Sequence, residues 1–344
     1  MNHINKPYIE CNLIFDKSRR FMDHFYQAIT GFIILQKENI ISLKFDFSSN
    51  FRIPFSNFFA AKINGKTVFY DLSDGALNFE INECLNFLKE NNAILFKRAY
   101  ESKLFDSYPS IRPYGLNYYG FYPFYLKILI RSLHRLDPRY IFSLLGSRFG
   151  SEQYWNIKNW TPEKTIKKNS NKILFCTRLW ENQDEINDTR IRLIRRLKKD
   201  FKSDVISGVK DTPLARKSCK DLILPDQVAN RKNFINLINC SSVCITSTGL
   251  DRSIGWRMGE FVSAGKAILS EPLHFSVPGD FQEGKNYLSF NSVDEAIEKC
   301  NYLLSLDDKR HTMEMENLHY YFHYLKPDVL IFNTLKQTLS QFQS

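Results

Sequence analysis

The residues best suited to chemistry lie between Ser241 and Leu269. This stretch reads SSVCITSTGLDRSIGWRMGEFVSAGKAIL. A short apolar strand, Val243 to Thr246, runs into a polar turn of Ser247, Thr248 and Gly249. A helix carrying Gly255, Gly259 and Glu260 follows. The turn Ala264-Gly265 then leads to a second apolar strand, Ala267 to Leu269. Strand, polar turn, helix and strand make a βαβ unit, which aims helix-start N–H groups at an anion such as a nucleotide phosphate. The turn Arg252-Ser253-Ile254-Gly255 lies where those amides point. Gly255 lets the backbone approach a ligand closely. Arg252 and Arg257 are available cations. The plainer reading makes Ser253 a helix cap and leaves both arginines in solvent.

Further candidates sit at strand ends. Arg178 follows the apolar run Lys172 to Thr177, and Lys210 follows Asp204 to Gly208. Lys210 either adds positive charge near phosphates or is a solvated loop lysine. Glu260 lies about one helical turn past Gly255, and an ionised carboxylate there accepts hydrogen bonds only. Its neighbours Met258, Phe261 and Val262 read as buried, and Gly265 closes the helix as a C-cap does. The alternative for a single Glu is a helix surface. By position alone, Pro225 to Val228 faces a nucleotide base. A reaction that takes a proton from its substrate needs a general base. Candidates in the first half are Asp23, His24, Asp71 and Asp74, and an Asp after an apolar strand equally caps a turn.

The elements that position these groups alternate. In the second half, strands at Lys172–Thr177, Asp204–Gly208 and Leu222–Leu224 alternate with helices at Asn187–Phe201 and Asn230–Asn239. The first of these helices has Ile191, Ile194 and Leu197 inside, with Arg190, Arg192, Arg195, Arg196, Lys198 and Lys199 as a basic outer face. Asp294 to Leu304 is a further helix, with Ser292 as N-cap and Glu295 three residues on. Helical patterns fill the rest, ending with Pro327 opening a helix over Asp328 to Gln341. In the first half, a helix is expected over Arg20–Ile34, burying Phe21, Phe25, Ile29 and Phe32. Strands are expected at Ile41–Phe47, Thr67–Leu72 and Ala93–Lys97, with a helix over Glu80–Asn91. Such alternation predicts α/β domains with parallel sheets. Polar Ser151 to Ser170, with Pro162, is the linker candidate.

At 344 residues the chain suits two domains. Its 43% hydrophobic and 24% charged residues are those of a globular protein. No apolar run reaches the ~18 residues of a membrane span, and the N-terminus lacks a charged-then-apolar leader pattern. A cytoplasmic location is therefore expected. Seven scattered cysteines read as reduced and mostly buried, and Cys240 and Cys244 lack the partners of a zinc site. The net charge of +10 is spread over both halves, with 20 Lys and Arg against 14 Asp and Glu in residues 1–160 and 27 against 23 in the rest. An anionic partner follows.

The run Glu260-Phe-Val-Ser-Ala-Gly265-Lys-Ala-Ile-Leu resembles the donor-nucleotide motif of bacterial GT-B glycosyltransferases, in which a Glu, a short helix, a Gly and an apolar strand follow in that order. Element order extends the resemblance over roughly Lys172 to Leu304. It implies two Rossmann-like domains facing a central cleft. Residues 1–160 would bind the acceptor and 171–310 the nucleotide sugar. Residues 311–344 would return to the first domain as C-terminal helices. It implies Glu260 on the ribose hydroxyls and Arg178, in Cys-Thr-Arg-Leu, on the diphosphate. Lys210, Arg252, Ser253, Ile254 and Gly255 would complete the donor site, and Asp23, His24 and Arg178 would be catalytic. It implies metal-independent sugar transfer from a nucleotide-diphosphate sugar, to a glycan or lipid-linked acceptor in surface polysaccharide synthesis. One departure stands out. Many such families carry a second Glu eight residues earlier, near the transferred sugar, and here that position is Arg252. This keeps two alternatives in view, a non-catalytic partner subunit and a sugar-nucleotide epimerase of similar fold.

Tyr118 to Gly150 carries nine Phe or Tyr and five Lys or Arg against one Asp. Leu126, Leu129, Ile130 and Leu133 share one helical face, and Lys127, Arg131 and Arg135 line another. Aromatic and basic residues on an amphipathic helix suit an anionic membrane surface. Bacterial surface glycosyltransferases dock in this way to reach lipid-linked acceptors. The alternative is an ordinary surface helix. Aromatics with Arg also suit single-stranded nucleic acid, but no RNA- or DNA-binding motif accompanies them.

Overall fold

The computed structural model describes residues 9–15, 23–46, 58–76, 80–120 and 172–340. The linker at Ser151–Ser170 and the basic residues Lys127, Arg131 and Arg135 lie outside the described residues.

The first sheet has six strands: β1 (Ile9–Ile14), β2 (Ile41–Asp46), β3 (Phe58–Ile63), β4 (Lys66–Asp71), β5 (Ala93–Lys97) and β6 (Ile111–Pro113). Their order is β2-β1-β3-β4-β5-β6. Only β3 runs antiparallel to its neighbours. Its reversal comes from Asn64-Gly65, which take φ of 48° and 82°. Two residues at positive φ form the tight hairpin turn that matches strand twist. Phe59, Tyr70 and Phe96 stand in register across β3, β4 and β5 and stack at 4.7 and 5.6 Å. This aromatic ladder sets one face of the first core.

Helix α1 covers Tyr26–Lys37 after a 3₁₀ turn at Asp23–Phe25, so it starts later and runs further than Arg20–Ile34. Phe25, Ile29 and Phe32 are buried as expected. Helix α2 is Ile81–Glu90.

The second sheet is parallel throughout: β7 (Ile173–Thr177), β8 (Val205–Val209), β9 (Val243–Thr246), β10 (Ala267–Ser270) and β11 (Leu288–Ser289), in the order β11-β10-β9-β7-β8. Between β7 and β9 the connections leave in opposite directions, which opens a crevice at the strand ends. Helices α3 (Asp184–Phe201), α4 (Arg231–Asn239) and α5 (Trp256–Ser263) flank it. Gly265 ends α5 at φ 59°, and a Cβ there would stand 2.6 Å from Leu318, so both conformation and space require glycine. The strand expected at Leu222–Leu224 is absent. A 3₁₀ turn at Lys220–Leu222 leaves one bridge between Val209 and Ile223, too little pairing for a ladder.

Helix α6 (Val293–Ser305) opens on Ser292, whose side chain accepts from the Glu295 amide at 3.2 Å. Helix α7 (Asp307–Tyr320) runs into a π turn at Tyr321–Leu325, and α8 (Pro327–Ser340) then leaves the second domain. Leu330, Ile331 and Leu335 of α8 enter the first core beside Ile29 and Phe32. Gly31 makes the crossing possible: a Cβ on it would stand 2.1 Å from the Pro327 carbonyl. The Tyr70 hydroxyl meets Thr334 Oγ1 at 2.9 Å. The returning helix that the resemblance implies is present.

The domains also meet directly. Leu116 and Tyr118 pack with Met258, Phe261 and Val262 of α5. Gly259 lies so close that a Cβ would stand 2.9 Å from the Asn117 carbonyl. Tyr118 and Tyr119, the first residues of the aromatic and basic segment, are therefore core and not membrane-facing. Of the seven free cysteines Cys240 is exposed and Cys176 half-buried, while the others are buried. Among the described residues no helix is long and apolar enough to cross a membrane.

Candidate functional site

A cleft of about 520 Å³ opens where the second sheet reverses its winding. Its floor is the C-terminal end of β7, from Phe175 to Arg178, and that of β9, from Ile245 to Ser247. His24, Asp74 and Arg98 of the first domain form the opposite wall. Of the residues expected in the site, the fold brings together His24, Arg178, Lys210, Ser253, Gly255 and Glu260. Arg252 does not line the cleft and is exposed. Ile254 is buried beside it and contributes its carbonyl. Asp23 lies in the 3₁₀ turn, and its side chain is outside the described residues. Asp71 is committed elsewhere: it is buried in an ion pair with Lys97 at 2.7 Å and accepts from the Ser73 amide and hydroxyl.

The cleft is cationic, for structural reasons that differ from one residue to the next. Arg178 is exposed, with its guanidinium 4.9 Å above the Trp180 ring. Lys210 is exposed at the end of β8. Arg257 lies over the Phe234 ring at 3.6 Å and donates to Glu260 Oε2 at 2.8 Å. Glu260 is 1% exposed. A carboxylate so buried needs charged or hydrogen-bonding partners, and Arg257 supplies one. The N-cap of α5 is Gly255, with no side-chain cap bond. Ser253 is therefore not the cap, and Gly255, Trp256 and Arg257 at the helix start line the cleft.

The turn from Ser247 to Gly255 carries strain. Asp251 and Arg252 both take positive φ, 53° and 58°. Successive non-glycine residues there cost about 1–3 kcal/mol each and persist only where the surroundings hold them. Two buried arginines do so from opposite sides. Arg190 donates to Ser247 Oγ at 3.0 Å, to the Thr248 carbonyl at 2.9 Å and to the Arg178 carbonyl at 2.6 Å. Burial lowers its pKa, and Glu271 nearby opposes that. Arg98 donates to the Ile254 carbonyl at 2.7 Å and to Asp74 at 2.7 Å. Glu271 Oε2 accepts from the Thr248 amide and hydroxyl at 2.8 and 2.7 Å. Asn187 clamps Trp180, accepting from its amide at 3.0 Å and donating to its carbonyl at 2.7 Å.

Sequence reasoning placed Arg190 on a basic outer face; it points inward. The signal was present, since Asn187, Arg190, Ile194 and Leu197 follow helical spacing and all four are buried. Arg98 and Trp256 were missed because their partners lie far away in sequence, Ile254 for Arg98 and His24 for Trp256. Trp256 meets His24 edge-on at 4.9 Å and Tyr119 at 5.8 Å. His24 Nδ1 is buried with no hydrogen-bond partner among the described residues. Burial first, and then the nearby Arg98 charge, lower the His24 pKa to about 4, with Asp74 opposing. The imidazole is therefore neutral at pH 7, with one nitrogen able to accept a proton or hydrogen bond. Among the described residues no group of three or more His, Cys, Asp or Glu is arranged to hold a metal ion.

Two α/β sheets facing a cleft, with a βαβ unit at the reversal and a helix returning to the first domain, make a GT-B architecture. No family model matches the chain, and no curated protein matches it. Solved structures align with it at low scores. An alpha1,3-fucosyltransferase aligns over 100% of this chain and 91% of its own, at 12% identity and a TM-score of 0.42. A glycosyltransferase from Rickettsia africae aligns over 91% and 88%, at 14% identity and a TM-score of 0.35. The UDP-GlcNAc 2-epimerase from Neisseria meningitidis, solved with UDP-GlcNAc bound, aligns over 73% of this chain at 19% identity and a TM-score of 0.35. This chain spans 61% of that epimerase's length.

Proposed function

We propose that this chain is a glycosyltransferase that takes its sugar from a nucleotide-diphosphate donor. The observation that carries the reading is the buried Glu260 beside Arg257 at the start of α5, within a cationic cleft at the sheet's winding reversal. A nucleoside diphosphate needs acceptors for its ribose hydroxyls and donors for its phosphates. Glu260 supplies the first. Arg178, Lys210 and the α5 amides supply the second, without calling on a metal ion. Phe175, Trp180, Ile245 and Leu250 line the same cleft with apolar surface suited to a base. In this reading His24 faces the sugar or acceptor as a neutral group.

Calorimetry with UDP, GDP, ADP and their sugars tests this. One nucleotide should bind the wild-type chain. Glu260→Ala should weaken it at least ten-fold while the thermal midpoint stays within a few degrees. Unchanged affinity in that variant would remove Glu260 from the site. Slow release of free nucleotide from the donor, abolished in Arg178→Ala, separates an enzyme from a non-catalytic subunit. Conversion of the donor alone into its epimer would favour the epimerase.

The acceptor side of the proposal is a glycan or lipid-linked acceptor of bacterial surface polysaccharide, reached at the inner membrane face. Lys127, Arg131 and Arg135 would each add about 1 kcal/mol at an anionic surface. Flotation on anionic but not neutral liposomes, lost on charge reversal at these three positions, is the expected result.

A further inference from the structure

The turn that would hold the donor does not rest on its own domain alone. Arg98 leaves the end of β5 in the first domain and is 6% exposed. One arm of its guanidinium, Nη1, reaches Asp74 Oδ1 at 2.7 Å and the Leu72 carbonyl at 3.3 Å. The other, Nη2, reaches across to the Ile254 carbonyl at 2.7 Å. Ile254 lies two residues past Arg252, at the exit of the strained segment. The Gly249 amide, at the other end of that segment, donates to the Ser253 carbonyl at 2.8 Å. The Ser253 amide donates to the Leu250 carbonyl at 2.9 Å, so the strained residues are bracketed by two internal bonds and one bond from the opposite domain.

We propose that Arg98 is a positioning residue that ties the donor turn to the facing wall, so that residues 249–255 take their binding shape only against the first domain. The guanidinium fits this task because its planar fork serves two acceptors at once in fixed geometry. A lysine at this position offers a single point charge and can hold Asp74 or Ile254, not both in the same geometry. Other contacts join the two domains nearby: the Ser276 amide donates to the Tyr100 carbonyl at 2.8 Å, and Gly259 abuts Asn117. The inference deepens the reading of the cleft as a donor site and rests on it for its consequence in binding. The geometric part stands separately.

The test uses the full chain as wild type, Arg98→Lys, Arg98→Ala and, as control, Arg192→Ala, an exposed pair with Asp188. Amide hydrogen exchange is followed without ligand, and binding of UDP, GDP and ADP is measured by calorimetry. Exchange over 249–255 should rise ten-fold or more in Arg98→Ala and in Arg98→Lys, while β7 and α3 stay protected and the control is unchanged. The nucleotide that binds wild type should bind both Arg98 variants about ten-fold more weakly. If Arg98→Ala does not fold, Arg98→Lys decides. Wild-type exchange over 249–255 in the folded variants would overturn the proposal, as would a uniform rise across the second domain. If no nucleotide binds wild type but the turn loosens as described, the positioning role stands and the donor reading falls.

Discussion

The two walls of the cleft obey different rules. The second-domain wall is built from a parallel sheet, with one core filled by its own stretch of chain and the other shared with Leu116 and Tyr118 of the first domain. The first-domain wall rests on a mixed sheet, on a buried Lys97–Asp71 pair beneath its loop, and on a helix supplied by the far end of the chain. Yet it is the regular wall that carries the strained turn, and the irregular one that helps hold it. A robust core does not make a site self-sufficient. The sheet fixes where the turn begins and ends, and polar partners fix its shape.

The largest effect should come from the irregular wall. Lys97→Met leaves the fully buried Asp71 without its cation, which costs about 3–5 kcal/mol. Chemical denaturation should show that loss, and a loss under 1 kcal/mol would mean that water or Ser73 already satisfies Asp71. The next concerns pH. His24 folds with a pKa near 4 against 6.5 for the free group. Between these values the unfolded chain binds the extra proton, so stability falls as pH drops from about 6.5 to 4. His24→Phe should flatten that part of the thermal-midpoint profile, and an identical slope in both proteins would show that the imidazole does not titrate there.

On the regular wall, Glu271→Ala removes both bonds to Thr248. We expect about 1–2 kcal/mol of stability to be lost, with nucleotide affinity falling by a larger factor than global stability alone explains. The smallest effect should be Arg192→Ala, which breaks a pair whose side chains are more than 60% exposed. It should change stability by no more than about 0.5 kcal/mol. A larger change would mean that the outer face of α3 matters more than its inner one.

Legibility followed the same divide. The strands of the second sheet were readable because short apolar runs ended at polar turns, and β7, β8, β9 and β10 lie within a residue or two of expectation. In the first sheet β1, β3 and β6 went unread. Asn64-Gly65 between two apolar runs was a hairpin signal in plain sight. Leu222–Leu224 looked like a strand because three apolar residues suit either a strand or a tight turn. Glu260 was legible through its flanking residues and Gly265. Arg98 was not, because its partners Asp74 and Ile254 lie 24 and 156 residues away in sequence. No local pattern encodes such a meeting.

The return of α8 also reaches into the order of synthesis. Ile331 and Leu335 help to fill the core that β1 and α1 begin, and Gly31 is shaped to receive Pro327. On the ribosome the first domain emerges first, yet it stays open along one side until residue 335 has left the exit tunnel. The second domain can close on Leu116, Tyr118 and its own residues up to Leu325 while the earlier one still waits. Translation runs from the first domain to the second, and completion of the cores runs the other way.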